Sequence, residues 1–325
     1  MALPVGVIGL GHLGSLHAKM LAQAEGAQLV GVFDVNAERC AEVAASHGTH
    51  ACASVEELLA AVEAVSIATP TSNHYDTARM AIEAGKHVFL EKPITETVEQ
   101  ARALNGLAAE RGVSVQVGHI ERFNPAIVAL DALEIAPLFV ESHRLAQFNP
   151  RGTDVAVVLD LMIHDIDIIL SLVRSEVVSI DASGLAVVSD TADIANARLK
   201  FANGCVANIT ASRISQNRMR KMRLFQRNAY ISIDFLQGQS EVFRLVDADA
   251  DVTPTYMLGM IEQGKVKRNI VFEQPPVPTD HNPLKYELQL FVNAVRNGTR
   301  PIVDGIAAQH ALEVAEEIVR RITVR

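Results

Sequence analysis

The chain has 325 residues, 49% of them hydrophobic, and a formal net charge of −9 at pH 7. This length accommodates two domains, and the negative charge argues against nucleic acid or an anionic membrane surface as the main partner. No apolar run approaches the roughly 18 residues of a membrane span, and the N-terminus lacks the basic segment of a signal peptide. The three cysteines show no metal-ligand spacing. We therefore expect reduced thiols in a cytoplasmic protein that binds small molecules.

The N-terminal segment carries a glycine pattern that is typical of dinucleotide-binding folds. An apolar run over residues 5–8 predicts a buried strand, and Gly9-x-Gly11-x-x-Gly14 separates it from a segment with helical spacing. The first glycine permits a tight turn, the second lets the backbone approach a pyrophosphate, and the third lets the helix lie close to the strand. The pattern predicts a dinucleotide site, and a glycine loop that binds nothing is the alternative.

An acidic residue supports NAD as the dinucleotide. Asp34 lies 20 residues after Gly14, at the end of a second apolar run, where its carboxylate would accept hydrogen bonds from ribose hydroxyls. The same carboxylate would repel the 2′-phosphate of NADP. Arg39 follows closely and could swing to such a phosphate, so NADP stays open as the alternative.

The first 118 residues alternate between strand-like and helix-like segments, which predicts a parallel sheet covered on both faces. Strands are predicted at 5–8, 29–33, 64–68, 87–90 and 113–117. Helices are predicted after Gly14, at 37–46, from the capping box Ser54-x-x-Glu57, at 75–84 and at 98–111.

Polar turns follow three of these strands and would share the carboxyl edge of the sheet, where such folds bind ligands. They are Thr69-Pro70-Thr71-Ser72-Asn73-His74, Glu91-Lys92-Pro93 and Gly118-His119. Pro93 favours an extended conformation at Lys92, which would keep the ammonium group off a helix. In a partly desolvated crevice beside a nicotinamide, that group could move protons near neutral pH, and a solvated loop lysine is the alternative.

Beyond residue 119 the pattern changes to a run of strands. Helices are predicted at 125–133, 160–173, 284–297 and 305–322, and strands at 138–148, 177–188, 195–201, 206–212, 222–225, 230–235 and 241–246. The predicted fold class is therefore α/β, with an N-terminal doubly wound Rossmann sheet and a C-terminal α+β domain that has a large, mostly antiparallel sheet. Residues 1–119 would bind NAD, and residues 120–325 would bind substrate and form oligomers.

A second group of polar residues lies in the apolar helix predicted around residue 160. Asp160 and His164 are four positions apart and therefore share a helix face, and Asp167 follows three positions later. Burying such groups unpaired costs kilocalories, so they need partners, and a substrate site would supply them. A structural histidine hydrogen-bonded by its neighbours is an equally good interpretation. Metal binding is not expected, because the sequence offers no further cluster of ligands.

Together these motifs resemble the glucose-fructose oxidoreductase and inositol dehydrogenase family, Gfo/Idh/MocA, over essentially the whole chain. The resemblance rests on Gly9-x-Gly11-x-x-Gly14-x-x-His17, Ala68-Thr69-Pro70 with Asn73-His74, Glu91-Lys92-Pro93, Gly118-His119 with Arg122-Phe123 and Pro125, and Asp160-x-x-x-His164. It implies NAD-dependent oxidation of a secondary alcohol on a sugar or polyol, by a homodimer or homotetramer.

The motifs and the resemblance together give the expected site residues. The catalytic residues would be Lys92, Asp160 and His164. The cofactor-binding residues would be Gly9, Gly11, His12, Leu13, Gly14, Asp34, Arg39, Thr69, Pro70, Asn73, His74, Glu91 and Lys92. The substrate-binding residues would be Lys92, His119, Arg122, Asp160 and His164.

Two features bear on the substrate. Many members of the family have small glycines around the catalytic Asp, whereas this chain has Asp154-Val155-Ala156-Val157-Val158 and Met162, which puts a plain monosaccharide pocket in doubt. The chain looks most like the branch that oxidises nucleotide sugars such as UDP-N-acetylglucosamine at the 3-position. A free-sugar or inositol dehydrogenase, a non-catalytic dinucleotide sensor and a redox-neutral enzyme that retains its cofactor are the alternatives.

Basic residues supply a possible contact for the diphosphate of such a substrate. The cluster consists of Arg213, Arg218, Arg220, Lys221 and Arg223, and Arg122 and Arg151 flank the predicted site. Guanidinium groups bind phosphates through paired hydrogen bonds. A solvated basic strand face is the alternative for residues 218–223.

Overall fold

The computed structural model describes residues 1–149, 155–249, 256–263 and 266–322. The chain divides into two compact units, one formed by Met1–Phe123 with Asn282–Glu313 and the other by Asn124–His281 with Val314–Arg325. The sequence-based division after residue 119 stays a prediction. It did not anticipate that residues 282–313 belong to the first unit. In the part of the chain that the structure describes, no helix has the length and apolar character that a membrane crossing requires.

A six-stranded parallel sheet, in the order β3-β2-β1-β4-β5-β6, forms the centre of the first unit. Its strands are β1 Leu3–Ile8, β2 Ala27–Phe33, β3 His50–Ala51, β4 Ala64–Ile67, β5 His87–Glu91 and β6 Val115–Gly118. The connecting helices are α1 His12–Leu21, α2 Ala37–His47, α3 Val55–Ala61, α4 His74–Glu83 and α5 Val98–Arg111. The strand order reverses at β1, which is the doubly wound arrangement that the alternating pattern predicted.

Local capping explains where α3 begins. The Ser54 side chain accepts a hydrogen bond from the Glu57 amide, as the predicted capping box requires. The second half of the box differs, because the Glu57 carboxylate accepts from the Ala53 amide at 2.6 Å. The two bonds together fix the turn between β3 and α3.

A helix from the far end of the chain completes the hydrophobic core of the first unit. Helix α8, Pro283–Asn297, contributes Leu288, Phe291 and Val292 to a buried cluster that also contains Phe89 of β5. The rings of Phe89 and Phe291 meet edge to face, with centroids 5.7 Å apart. The aromatic packing therefore joins residues about 200 positions apart in sequence.

The described part of the second unit contains a nine-stranded sheet in the order β14-β15-β13-β12-β11-β7-β10-β9-β8. Its strands are β7 Phe139–Leu145, β8 Val177–Leu185, β9 Ile194–Phe201, β10 Val206–Ser212, β11 Met219–Gln226, β12 Ala229–Asp234, β13 Gln239–Asp247, β14 Tyr256–Gln263 and β15 Val266–Glu273. Helices α6, Pro125–Val128, and α7, Ile163–Val173, belong to this unit, and α9, Gly305–Arg321, is the last helix of the described chain. The β7–β10 pair is parallel and the other neighbours are antiparallel, which confirms the predicted sheet type.

Three strands were not predicted from the sequence. Strand β3 has only two residues, too few for a periodic signal. Strands β14 and β15 form a hairpin at the sheet edge, and Tyr256, Met257 and Leu258 are consecutive exposed apolar residues. Because no face of β14 is buried, its sequence lacks the alternation by which strands are recognised.

A buried ion pair connects β7 to α7. Alternate residues of β7 point inward, and one of these is Arg144, which is 2% exposed. Its guanidinium donates two hydrogen bonds to the Asp165 carboxylate, at 3.0 and 2.9 Å. Removing either partner would leave an unpaired buried charge and would cost about 3–5 kcal/mol of stability. Sequence analysis did not single out either residue.

A second buried carboxylate organises the β8–β9 loop. Asp193 accepts hydrogen bonds from the amides of Val187, Val188 and Ser189, and its carboxylate lies 3.3 Å from the Arg213 guanidinium. Burial alone would raise the pKa of Asp193, but the amide hydrogen bonds prevail and lower it to about 2.

This lowered pKa gives Asp193 a measurable role in acid stability. An ordinary aspartate titrates near 3.9, so the carboxylate stabilises the fold above about pH 4, and that stability is lost as the pH falls toward 2. We expect Asp193→Asn to lose roughly 2 kcal/mol at pH 7 and to show a weaker pH dependence between pH 4 and 2. Urea unfolding across this range measures both. A variant whose acid dependence equals that of the wild type would contradict the assignment.

Candidate active site

The glycine loop has the geometry that a pyrophosphate requires. Gly9 has φ +84°, and a Cβ there would lie 2.9 Å from the Ala68 carbonyl group. A Cβ on Gly14 would lie 1.8 Å from the Gly9 carbonyl oxygen, so only glycine allows α1 to approach β1 this closely. A Cβ on Gly11 would meet nothing within 4 Å. Helix α1 begins at His12, directly after this open position, so its first amides can face an anion.

Backbone amides hold the Asp34 carboxylate at the end of β2. One carboxylate oxygen accepts from the Leu10 amide at 2.6 Å, and the other accepts from the Asn36 amide at 2.8 Å. The first bond ties Asp34 to the glycine loop. A ribose that is bound by this carboxylate would therefore lie beside the pyrophosphate position, as in a dinucleotide.

Arg39 is engaged by the same loop. Its Nε donates to the Leu10 carbonyl at 2.9 Å, and its other guanidinium nitrogens bond to Ser15 Oγ and to the Glu42 carboxylate. Contact with a 2′-phosphate would require Arg39 to leave these partners. The arrangement favours NAD over NADP, which agrees with the sequence-based expectation.

His74 braces two of the polar turns. It is buried at the start of α4, with Nδ1 2.8 Å from the Pro93 carbonyl oxygen and Nε2 3.0 Å from the Thr69 carbonyl oxygen. Burial lowers the pKa of His74, although both carbonyls favour the charged ring. The turn at 69–74, which includes Pro70 and Asn73, is thereby tied to the turn at 91–93. Cofactor contacts of these residues stay predictions.

A buried polar network fixes the start of the turn that carries Lys92. Glu91 Oε1 lies 3.0 Å from Nε2 of the buried His17, whose Nδ1 lies 2.7 Å from Ser66 Oγ. The Lys92 amide donates to Glu91 Oε2 at 3.3 Å. A Cβ on Gly118 would lie 2.9 Å from the Glu91 carboxylate, so this glycine makes room for it. The structural roles of His17 and Ser66 were missed from sequence, although a histidine at an apolar helix position and a serine in a buried strand were the available signals.

The sheet register brings the predicted residues of the first unit to one edge. The ends of the central strands align to within one residue, with Ile8 opposite Phe33 and Ile67, Ile67 opposite Leu90, and Glu91 opposite Gly118. The residues that follow these strand ends are Gly9, Asp34, Thr69, Lys92 and His119. His119 is buried, and the Arg122 amide in the next turn donates to its carbonyl. Contact of either side chain with substrate stays a prediction.

In the second unit, Asp160 and His164 flank a change in helix type. Val158–Met162 forms a π-helical turn, and α7 continues from Ile163. The predicted helix over 160–173 is thus confirmed from Ile163 onward, but its first turn is wider than an α-helical one. π-Helical turns are frequent at functional sites, because the extra residue redirects side chains. Both residues are partly buried.

A cleft of about 450 Å³ brings Asp160 together with part of the basic cluster. Its lining residues come from the end of β7 and the segment after it, the π-helical turn, the loop before β11 and β11 itself. They are Leu145, Ala146, Gln147, Phe148, Asn149, Asp160, Leu161, Arg213, Arg218 and Arg220. Arg213 is committed to Asp193, as described above. Arg218 and Arg220 are the other two cations among the lining residues.

The rest of the basic cluster has a different role. Lys221 and Arg223 alternate with the buried Met222, so they lie on the opposite face of β11. Their side chains are 3.2 Å from the Asp234 carboxylate and 3.5 Å from the Glu141 carboxylate. The alternative of a solvated basic strand face therefore holds for Lys221 and Arg223, whose side chains are 44% and 47% exposed. Arg151, which was predicted to flank the site, lies outside the described residues.

Comparison with known proteins gives a consistent family match. Residues 3–119 match the model of an oxidoreductase family with an NAD-binding Rossmann fold, and residues 140–232 match the GFO/IDH/MocA C-terminal domain. UDP-N-acetylglucosamine 3-dehydrogenase from Acidithiobacillus ferrooxidans is 40% identical over 96% of this chain and 95% of that protein. Its solved structure matches with a TM-score of 0.87, covering 99% of this chain and 98% of that chain. The scyllo-inositol 2-dehydrogenase (NAD(+)) of Bacillus subtilis is 30% identical over 95% of this chain and 90% of that protein.

The open position at Gly11 yields a test of dinucleotide binding. We expect Gly11→Ala to fold with an unchanged melting temperature, because the added Cβ meets no protein atom within 4 Å. The methyl group would occupy space that the pyrophosphate needs, so the Kd for NAD should rise by about tenfold or more, a loss of roughly 1.4 kcal/mol. Thermal unfolding and calorimetric titration with NAD measure the two effects.

Gly106→Ala is the matched control, because Gly106 lies within α5 and its Cβ also meets nothing within 4 Å. This variant should be slightly more stable than the wild type and should bind NAD normally. Equal NAD affinity in the two variants would show that the glycine loop does not hold the cofactor.

Proposed function

This chain belongs to the GFO/IDH/MocA family of NAD-binding oxidoreductases, and from that premise we propose that it oxidises a secondary alcohol on the sugar ring of a nucleotide sugar. The observation that carries the nucleotide-sugar part is the cleft of the second unit. Asp160, Arg218 and Arg220 line that cavity, together with Arg213, which pairs with Asp193. A carboxylate can accept a hydrogen bond from a sugar hydroxyl, and guanidinium groups bind a diphosphate.

The proposed substrate is UDP-N-acetylglucosamine, with oxidation at the 3-position. The 40% identical enzyme from Acidithiobacillus ferrooxidans carries this activity in its name, and the match extends along nearly the whole of both chains. An inositol is the second candidate, since the 30% identical Bacillus subtilis protein is a scyllo-inositol 2-dehydrogenase. Arg218 and Arg220 favour the nucleotide sugar, because an inositol offers no phosphate to them.

The proposed cofactor site consists of residues from the first unit. The glycine loop with the first turn of α1 would hold the pyrophosphate, and Asp34 would hold the adenosine ribose. The turns at 69–74 and 91–93, braced by His74, would lie beside the nicotinamide half. When bound, NAD supplies an acceptor for a hydride.

The proposed chemistry assigns a role to each predicted catalytic residue. Loss of a hydride from carbon is favoured only as the attached oxygen becomes negative, so a base must remove the hydroxyl proton. We assign the removal of this proton to the His164 side chain. Asp160 orients the hydroxyl or the base, and the Lys92 ammonium stabilises the negative charge that develops on the oxygen.

Association into a homodimer or homotetramer is also part of the proposal. On one face of the second sheet, adjacent aromatic rings on five strands have centroids between 5.0 and 5.9 Å apart. They belong to Phe139, Phe225, Tyr230, Phe243 and Phe272. An aromatic face of this extent is a natural surface for a second copy of the chain. A cytoplasmic location stays a prediction.

Substitution of the catalytic residues tests the chemistry. His164→Asn and Lys92→Met should each lower kcat with UDP-N-acetylglucosamine by about a hundredfold or more, since a positioned base is worth 10²- to 10⁴-fold. The Kd for NAD should change little, because neither residue is assigned to the adenosine half. Steady-state rates and calorimetry measure the two quantities. Near wild-type rates in both variants would remove these residues from the mechanism.

The arginines of the cleft are tested against their neighbours on β11. Arg218→Ala and Arg220→Ala should each raise KM for UDP-N-acetylglucosamine by about tenfold or more, because a charged hydrogen bond contributes roughly 1.5–3 kcal/mol. Lys221→Ala and Arg223→Ala are matched controls on the opposite face and should leave KM unchanged. If free N-acetylglucosamine or an inositol reacts as efficiently as the nucleotide sugar, the substrate assignment is wrong.

A further inference from the structure

A group of metal-binding side chains lies at the edge of the first sheet, and the proposed reaction does not use it. We propose that His50, Cys52 and Glu57 bind a Zn²⁺ ion. One potential ligand atom from each residue lies within 4.8 Å of the other two. Among the residues that the structure describes, this is the one such group of three or more His, Cys, Asp and Glu side chains.

The fold brings these residues together through a short edge strand and a helix start. His50 belongs to β3, which pairs with β2 through Gly31 and Val32. Cys52 follows two positions after His50 and keeps the ladder with a hydrogen bond from its amide to the Val32 carbonyl. Glu57 lies in the first turn of α3. An ion bound by all three would therefore join the edge strand to the helix that follows it.

Glu57 is already oriented as a ligand. One carboxylate oxygen is held by the Ala53 amide at 2.6 Å, and the other lies 2.9 Å from His50 Nε2. Two ligands about 2.0 Å from a tetrahedral zinc ion are separated by roughly 3.3 Å. The histidine and the carboxylate need to separate by only a few tenths of an ångström for the ion to replace the hydrogen bond between them.

Cys52 supplies the third ligand from the buried side. Its side chain is buried, and a Cβ on Gly31 would lie 2.9 Å from its Sγ, so the glycine leaves space for the sulfur. The His50 and Glu57 side chains are 63% and 45% exposed, so they are able to move toward an ion beside the fixed sulfur. Burial raises the pKa of the Cys52 thiol, and the negative charge of Glu57 raises it further. Zinc binding would release that proton, so affinity should increase with pH.

The donor set identifies the ion. One sulfur, one imidazole nitrogen and one carboxylate oxygen form a borderline-soft set that suits Zn²⁺, whereas Mg²⁺ and Ca²⁺ require oxygen ligands. Three protein ligands leave a fourth tetrahedral position for water. The sequence-based expectation of no metal site rested on the cysteine spacing and on the lack of a further ligand cluster for Asp160, His164 and Asp167, and the mixed His-x-Cys-x-x-x-x-Glu spacing was not considered.

Cobalt titration tests the site without reference to enzyme activity. Full-length protein without an affinity tag is stripped with a chelator and titrated with Co²⁺, which gives a thiolate charge-transfer absorption when sulfur is a ligand. We expect one Co²⁺ per chain with this absorption, displacement by Zn²⁺, and a higher melting temperature with Zn²⁺ because the ion binds the folded state. Absence of the absorption in the wild type would overturn the proposal.

Matched variants identify the ligands. Cys52→Ser should abolish the thiolate absorption, and Cys40→Ser, which alters another buried cysteine of the same unit, should retain it. Glu57→Gln preserves an acceptor for the Ala53 amide and should still weaken Zn²⁺ binding by at least about tenfold. His50→Gln should do the same, and His47→Gln should not. If Cys52→Ser does not fold, Glu57→Gln alone decides, and unchanged affinity in that variant would also overturn the proposal.

Discussion

The position of Lys92 depends on a carboxylate that is held inside the first unit. The Glu91 carboxylate contacts the imidazole of His17, which in turn contacts Ser66. Gly118 lies on the other side of the carboxylate and leaves space for it, because a Cβ there would be 2.9 Å away. Polar groups buried in this way must satisfy one another, since an unsatisfied group costs about 1–3 kcal/mol. The network therefore has few alternative arrangements, and the turn that starts at Lys92 begins from a rigid strand end. The role proposed for the Lys92 ammonium group requires such a fixed strand end, because misplacement of a catalytic group by an ångström reduces its effect.

In the second unit, buried ion pairs also hold the segments that carry the proposed site residues. The Arg144–Asp165 pair fixes α7 against β7, and the π-helical turn that carries Asp160 leads directly into α7. Arg213 and Asp193 fix the segment next to the cleft in a similar way. In both cases a fully paired, buried charge holds the backbone. The residues proposed to meet the substrate, Asp160 and Arg218, line the cleft beside these two ion pairs.

Much of the architecture could be predicted from the sequence because its signals are local. Buried parallel strands appear as short apolar runs, and helix ends are marked by residues such as Ser54 and Gly112. The site motifs follow strand ends, where a parallel sheet collects them at one edge. The edge hairpin of β14 and β15 gave no signal, because an exposed strand has no need to alternate. The packing of Phe291 on Phe89 could not be predicted either, since it depends on tertiary contact between distant segments.

The candidate site shows the same division between local and long-range information. Asp34, Lys92 and Asp160 were identified from motifs. The Leu10 amide that holds Asp34 and the His17–Glu91 contact beside Lys92 are properties of the fold. The basic cluster illustrates the limit most clearly. The five basic residues are close in sequence but have three different locations. Arg218 and Arg220 line the cleft, Arg213 pairs with the buried Asp193, and the other two lie on the opposite face of β11. Sequence positions alone show that the basic residues are close together in the chain. The alternation of side chains along β11 determines which face of the sheet each of them occupies.

In the proposed reaction a nucleotide sugar loses two hydrogens at a ring carbinol, and NAD receives one of them as a hydride. The most direct measurement incubates purified protein with NAD and UDP-N-acetylglucosamine, follows NADH absorbance, and analyses the nucleotide product by mass spectrometry. We expect NADH formation together with an equal amount of a UDP-linked product that has two hydrogens fewer than the substrate. NAD binding without NADH or an oxidised UDP-sugar, under conditions where an inositol is oxidised, would contradict it.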